Sequence, residues 1–267
     1  MLDASTVLKE LIENALDAHA TRLTIRVFGK GACEKIEVVD NGEGIDHRDW
    51  RGVCLLNATS KRASRGLVGD LVGEADEEED DKGGGFGFRG EALSGICGLS
   101  GRVVIQTRTS SEEVGHSLEY NTKGEFVSES AVAKSKGTTV IVEKLFEKYP
   151  VRLEDAKRNH SREIGKVVGV VMQYAIGFVG ARFELRVDGR VRVMTTDFLR
   201  GGDLERGEMK MKMMKQNVAA VLGNKIAASL VEFAKDDLLK GEDVVHGDDD
   251  DGCGGGGGGG GGRGIFR

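Results

Sequence analysis

From Glu74 to Asp81 every residue but Ala75 is acidic, and the run lies inside a glycine-rich stretch, residues 62–85, that carries no apolar period. Like charges repel and glycine raises backbone entropy, so this stretch is expected to be solvated and mobile. A core must therefore be assembled from the periodic segments on either side. Upstream, Val7, Leu8, Leu11, Ile12 and Ala15 recur at helical spacing, with Ser5 or Thr6 available as the cap. Leu23, Ile25 and Val27 alternate as in a strand, and Ile36 to Val39 predicts a second strand ending at Asp40. Downstream, Glu91 to Leu99 reads as a helix. Val103 and Ile105, Leu118, Phe126 and Val140–Val142 read as antiparallel strands. Ile164, Val167, Val168, Val171, Met172 and Ala175 form the cleanest amphipathic helix. Phe183, Leu185 and Val187 alternate into the turn Asp188-Gly189, which returns the chain through Val191 and Val193.

Beyond Phe198 the pattern weakens. A lysine–methionine stretch, Met209 to Lys215, precedes one more helix near Val218 to Leu222. Four aspartates from Asp248 and nine glycines from Gly254 close the chain in a low-complexity tail, expected to be disordered. The pattern predicts an α+β sandwich over residues 1–200. Residues 201–245 would be a linker or the start of a second domain, and 246–267 a disordered tail.

Bulk properties narrow the function classes. With 38 basic and 44 acidic residues, net charge −6, the chain is no general polycation, so any nucleic-acid contact needs a local basic patch. The four cysteines, Cys33, Cys54, Cys97 and Cys253, are scattered without a CxxC, which argues against a disulfide framework or zinc site and fits a reducing compartment. No stretch is apolar enough to span a membrane, and Asp3, Lys9 and Glu10 interrupt any secretory pattern.

Four segments carry chemistry. In Glu10-Leu-Ile-Glu13-Asn14, Glu10 and Asn14 are one helical turn apart on one face. A carboxylate there can take a proton from water, and an amide oxygen can ligate Mg²⁺ without adding charge. Alone, the segment reads better as a solvated helix face. In Asp40-Asn-Gly42-Glu43-Gly44 the glycines permit a tight turn, and a carboxylate at a strand end can accept a hydrogen bond from an exocyclic amine. An ordinary acidic turn is the competing reading. Metal binding by Asp40 and Glu43 is a further option, with too few oxygens for a calcium loop. In Gly87-Phe88-Arg89-Gly90-Glu91-Ala92-Leu93, glycines run directly into a helix start, where free N–H groups and Arg89 suit an anion. No GK[ST] follows, so this is not a Walker loop. The last segment, Gly137-Thr138-Thr139-Val140, offers hydroxyls, or is simply a threonine-rich strand.

In order and spacing these four segments resemble the nucleotide-binding motifs of the GHKL superfamily, which includes gyrases, heat-shock ninety chaperones, histidine kinases and MutL. Lys9 to Ala18, Ala58-Thr59-Ser60-Lys61 and Gly87 to Leu93 are similar to the MutL mismatch-repair branch. Leu145-Phe146, Pro150-Val151-Arg152 and Arg158-Asn159 are similar to its eukaryotic PMS-type subunit. The likeness covers residues 5–178 and is weaker from Asn217 to Phe233. It implies a Bergerat-type sandwich of a mixed sheet and helices that binds ATP and Mg²⁺ and hydrolyses ATP weakly, as a conformational switch.

By the same resemblance Glu10 would be the general base, Asn14 the Mg²⁺ ligand and Asp40 the adenine reader, supported by Gly42 and Gly44. Thr59, Ser60 and Lys61 would flank the nucleotide, residues 62–90 would form a lid, and Gly87 to Leu93 would contact phosphate. Thr139 would line the base pocket. An MLH-type partner subunit and a nuclear location are also implied. The short segment before Glu10 and the lack of a full second domain leave a nonhydrolysing fragment as the alternative. Another GHKL branch, such as a histidine kinase, lacks support because no phosphoacceptor-histidine helix lies upstream. A basic strip of Arg152, Lys157, Arg158 and Arg162 could meet DNA, or be a solvated helix face.

Overall fold

The computed structural model describes residues 3–55, 92–195 and 206–229, all within one compact unit that runs to Ser229. One eight-stranded sheet carries the fold. Its strands are β1 (Arg22–Phe28), β2 (Lys35–Asp40), β3 (Arg102–Arg108), β4 (Gly115–Tyr120), β5 (Phe126–Val132), β6 (Gly137–Glu143), β7 (Arg182–Val187) and β8 (Arg190–Met194). Their order across the sheet is β5-β4-β3-β6-β2-β1-β7-β8, and every pairing is antiparallel except β1 with β7. The strands on both sides of the acidic stretch thus interleave: β2, from upstream, lies between β1 and the downstream β6.

Among the described residues six α-helices accompany the sheet: α1 (Ala4–Asp17), α2 (Ala92–Leu99), α3 (Pro150–Arg158), α4 (His160–Gly177), α5 (Arg206–Leu222) and α6 (Asn224–Ala228). Strand alternation decides which side they cover. Leu23, Ile25, Val27, Ile36, Val38, Ile105, Phe183 and Leu185 are buried under the helices with Leu8, Leu11 and Ile12 of α1 and Val167 and Val171 of α4. Removing a side chain of this size from water stabilises by about 1.5–3 kcal/mol. The opposite sheet face carries ion pairs such as Arg26–Glu37, Arg102–Glu119 and Arg186–Glu184.

Two local expectations change. The cap of α1 is Asp3, whose Oδ1 accepts from the Thr6 amide at 2.9 Å; the Ser5 and Thr6 hydroxyls donate to that same oxygen and do not cap the helix themselves. The late helix starts at Arg206, well before Val218. It packs on α4 and β8, with Met213 and Val218 buried and the Asn217 side chain donating to the Ala175 carbonyl at 2.8 Å. Part of the expected linker therefore belongs to the compact unit. The Asp188-Gly189 hairpin appears as expected, with both residues at positive φ, the geometry of a two-residue turn matched to strand twist.

Candidate nucleotide site

α1 and the turn after β2 are stitched together by backbone. The Glu43 amide donates to the Ala18 carbonyl, just past the end of α1, at 2.9 Å. Asn41 fastens the same turn to the start of β1, its Oδ1 accepting from the Thr21 and Arg22 amides at 2.9 and 2.8 Å. Ile45 donates its amide to the buried Thr107 hydroxyl at 2.8 Å. The glycines fit where no side chain would. A Cβ on Gly42 would lie 2.6 Å from the Ala18 carbonyl oxygen, and Gly44, at φ +83°, would put one 2.5 Å from that of Arg108. Gly137, at φ +119°, lies against the Asp40 backbone, where a Cβ would come within 2.3 Å of the carbonyl oxygen. Three segments widely separated in sequence, the end of α1 at Ala18, residues 40–44 and residues 137–138, thus meet at one place.

Asp40 lies at that junction, buried at 8% exposure. Its Oδ1 accepts two backbone amides, from Gly42 at 2.8 Å and Thr138 at 3.0 Å. Its Oδ2 accepts none among the described residues, so one oxygen is fixed by the fold and the other is left to accept from elsewhere. Burial raises the Asp40 pKa above the usual aspartate value, partly countered by the two amides and by the charge of Lys134. Glu10 and Asn14 are half-buried one turn apart on α1, whose apolar side is in the core. Glu43 faces away from this junction, exposed and 3.3 Å from His19. The Asp40–Glu43 metal option thus loses its second carboxylate.

Thr139 requires a correction. The register pairs it with Val39, which puts its side chain on the sheet face opposite Asp40; Thr138 shares Asp40's face and supplies the amide that holds it. Thr139 instead accepts from Lys134 Nζ at 2.7 Å. Burial lowers the pKa of this half-buried lysine, with Asp40 and Glu37 opposing the shift. Lys134, absent from the sequence reading, thus places a cation behind Asp40. Ala92 and Leu93 open α2, which contacts α1. Thr59, Ser60, Lys61, Gly87, Phe88, Arg89, Gly90, Glu91 and the lid at 62–90 lie outside the described residues.

No three His, Cys, Asp or Glu residues cluster as a metal site among the described residues. One amide oxygen beside a carboxylate on α1 suits an ion whose other ligands are phosphates and water, the usual manner of Mg²⁺. The basic strip is mostly engaged internally. Arg152 lies 4.3 Å from the Phe146 ring centre, Lys157 meets Glu154, and Arg162 meets Asp155 and Glu163; Arg158 has no partner among the described residues. No helix among the described residues is long and apolar enough to cross a membrane.

Residues 2–146 match the family model described as histidine kinase-, DNA gyrase B- and HSP90-like ATPase. The mismatch repair endonuclease PMS2 of Mus musculus is 35% identical over 88% of this chain and 25% of its own length. The chain thus spans about a quarter of the length of the curated PMS2 relatives it matches. Among solved structures, a crystal structure of the N-terminal domain of a DNA repair protein superposes with a TM-score of 0.63 at 28% identity, over 84% of this chain and 57% of that one. The Aquifex aeolicus MutL ATPase domain complexed with ADP has the same fold, with a TM-score of 0.57 at 23% identity over 83% of this chain and 70% of that one. The chain belongs to the histidine kinase-, DNA gyrase B- and HSP90-like ATPase family, on its MutL/PMS mismatch-repair branch.

Proposed function

We propose that this chain binds Mg-ATP where α1, the turn after β2 and the start of β6 meet, and hydrolyses it slowly. The observation that carries the reading is the asymmetric carboxylate of Asp40, with Oδ1 held by the Gly42 and Thr138 amides and Oδ2 left to accept the adenine amine. Gly42 and Gly44 hold the turn in place. Asn14 ligates Mg²⁺, which when bound neutralises phosphate charge. Glu10 takes a proton from the water that attacks the terminal phosphate, giving ADP and inorganic phosphate. Thr59, Ser60, Lys61 and the segment Gly87 to Leu93 complete the phosphate side under a lid at 62–90. Residues 1–200 hold the nucleotide domain, 201–245 lead out of it as a linker or the start of a second domain, with α5 and α6 packed within the same compact unit, and 246–267 form a tail.

The wider reading is a nucleotide-driven switch in nuclear DNA mismatch repair, paired with an MLH-type subunit. Support for it comes from the likeness to PMS2 over 88% of this chain.

Paired variants test the roles. Glu10→Ala should leave ATP affinity nearly intact and lower single-turnover hydrolysis by about 10²–10⁴. Asn14→Ala should weaken Mg-ATP binding as well. Loss of binding in Glu10→Ala, or unchanged Mg-ATP affinity in Asn14→Ala, would refute the assignment. A wild-type chain that binds ATP and never turns it over would favour the nonhydrolysing alternative.

A further inference from the structure

A buried carboxylate stands beside the proposed catalytic pair and has no part in the chemistry above. Glu13 lies on α1 between Glu10 and Asn14, only 7% exposed. Burying a carboxylate is costly unless its charge is met by donors. Two donors meet it on one oxygen, Oε1: Lys9 Nζ from the same helix at 2.7 Å, and the Tyr174 hydroxyl from α4 at 2.5 Å. The phenol's pKa is raised, by burial first and then by the Glu13 and Glu10 carboxylates, so at neutral pH the hydroxyl is a permanent donor. Tyr174 therefore feels Glu10 as well as Glu13. At the other end of α1, Asp3 caps the helix and accepts from Lys166, also of α4, at 3.1 Å. The two contacts run in the same chain direction on both helices, so α4 grips α1 at its start and beside Glu10 and Asn14.

We infer that the Glu13–Tyr174 hydrogen bond is a positioning device, fixing the rotation of α1 about its axis so that Glu10 and Asn14 are presented together. The inference rests on the functional reading above. Apolar packing of Leu8, Leu11 and Ile12 fixes α1 against the core but is not directional. A hydrogen bond from a rigid aromatic side chain is. A helix has a radius of roughly 5–6 Å to its side-chain tips, so a rotation of about 10° moves a tip by about 1 Å. Misplacement on that scale can cost on the order of 10² in rate, and the loss of a group orienting a metal ligand typically costs about 10–100-fold in metal affinity. Tyr174 acts through Asn14 and Glu10 and does not itself touch nucleotide in this scheme.

The experiment measures ATP affinity by calorimetry on the full chain, with Mg²⁺ and with EDTA, for wild type, Tyr174→Phe, Glu13→Gln and Glu13→Ala. Tyr174→Phe should keep metal-free affinity within about twofold, because Asp40 is held by other bonds, and should lose roughly tenfold or more of the gain that Mg²⁺ confers. Glu13→Gln keeps an oxygen for the phenol and should retain most of that gain; Glu13→Ala should lose it. A wild-type Mg²⁺ gain in Tyr174→Phe overturns the inference. So does equal weakening with and without metal, which would mark a contact that only supports the fold. Should Tyr174→Phe fail to fold, the contrast between Glu13→Gln and Glu13→Ala decides in the same way. A wild type that binds no ATP in either buffer removes the functional reading, and the inference with it.

Discussion

Asp40→Asn isolates the adenine contact with little disturbance of shape. In the native turn Oδ1 accepts the Gly42 and Thr138 amides at 2.8 and 3.0 Å. An asparagine can satisfy both only by placing its amide oxygen there, which puts the NH₂ group at the Oδ2 position, facing the adenine amine donor to donor. The flipped rotamer is worse, since it would aim the NH₂ at two backbone donors in a buried site. The variant should therefore keep its fold and lose its ligand. Hydrogen bonds to charged groups contribute about 1.5–3 kcal/mol, and an unpaired buried donor adds to that loss. At 1.4 kcal/mol per decade, ATP affinity should fall roughly ten- to a hundredfold or more. Calorimetric titration of wild type and variant with ATP, alongside thermal unfolding, measures both halves. Equal affinity would refute the adenine role, and a collapse of stability with unchanged affinity per folded molecule would make Asp40 a fold residue only.

Gly137→Ala should be disruptive, because it puts a side chain at φ +119° and a Cβ 2.3 Å from the Asp40 carbonyl oxygen. A cost of about 1–3 kcal/mol from strain alone would lower Tm by roughly 2–12 °C, readable by calorimetry, with ATP affinity lost in parallel. Asp3→Ala removes the α1 cap and should cost about 0.5–2 kcal/mol in denaturant unfolding at pH 7. Burial alone would raise the Asp3 pKa, but hydrogen bonds from Ser5, Thr6 and Lys166 bring it well below the ordinary value, so its contribution is present above the unfolded pKa and is lost as pH falls through the folded one. The gap between wild type and Asp3→Ala should accordingly shrink in strong acid. Asp40 has the opposite sign, its folded pKa being raised by burial, so its ionised form costs stability near neutrality and that cost fades as pH drops. Adenine binding needs the ionised acceptor, so ATP affinity should fall over the same acid range, and an affinity that stays flat while Asp40 takes up its proton would count against the assignment.

The parts of the fold that were legible in the sequence are those whose signal is local. The helical spacing of Val7 to Ala15, the alternation of Leu23, Ile25 and Val27, and the Asp188-Gly189 turn each contain their own period or backbone requirement. Thr139 was misplaced because two identical residues stand side by side, and a strand read one position out of register sends every side chain to the other face. Only the pairing of Thr139 with Val39 resolves which threonine shares Asp40's side. Lys134 and Glu13 were illegible for a different reason. Each looks like an ordinary charge, and the contact that gives it a place at the site comes from another element: Thr139 of β6 for Lys134, and for Glu13 the Tyr174 hydroxyl, 161 positions away. The helix α3 carries no apolar period; its only local mark is Pro150 in the first turn, where a missing N–H costs nothing.

The single parallel pairing in the sheet also sets an order of events during synthesis. Arg22 of β1 lies opposite Arg182 of β7, 160 positions later in the chain. At about 5–20 residues per second, the ribosome finishes β1 roughly 8–30 s before its neighbour on that side exists. Through that interval the strand that pairs with one edge of β1, β2, has been made, while the partner of the other edge has not. An exposed strand edge is a template for pairing with other chains. In this topology the edge of β1 that faces β7 is the later of its two edges to gain its partner, and until β7 emerges that edge is open to pairing with another chain.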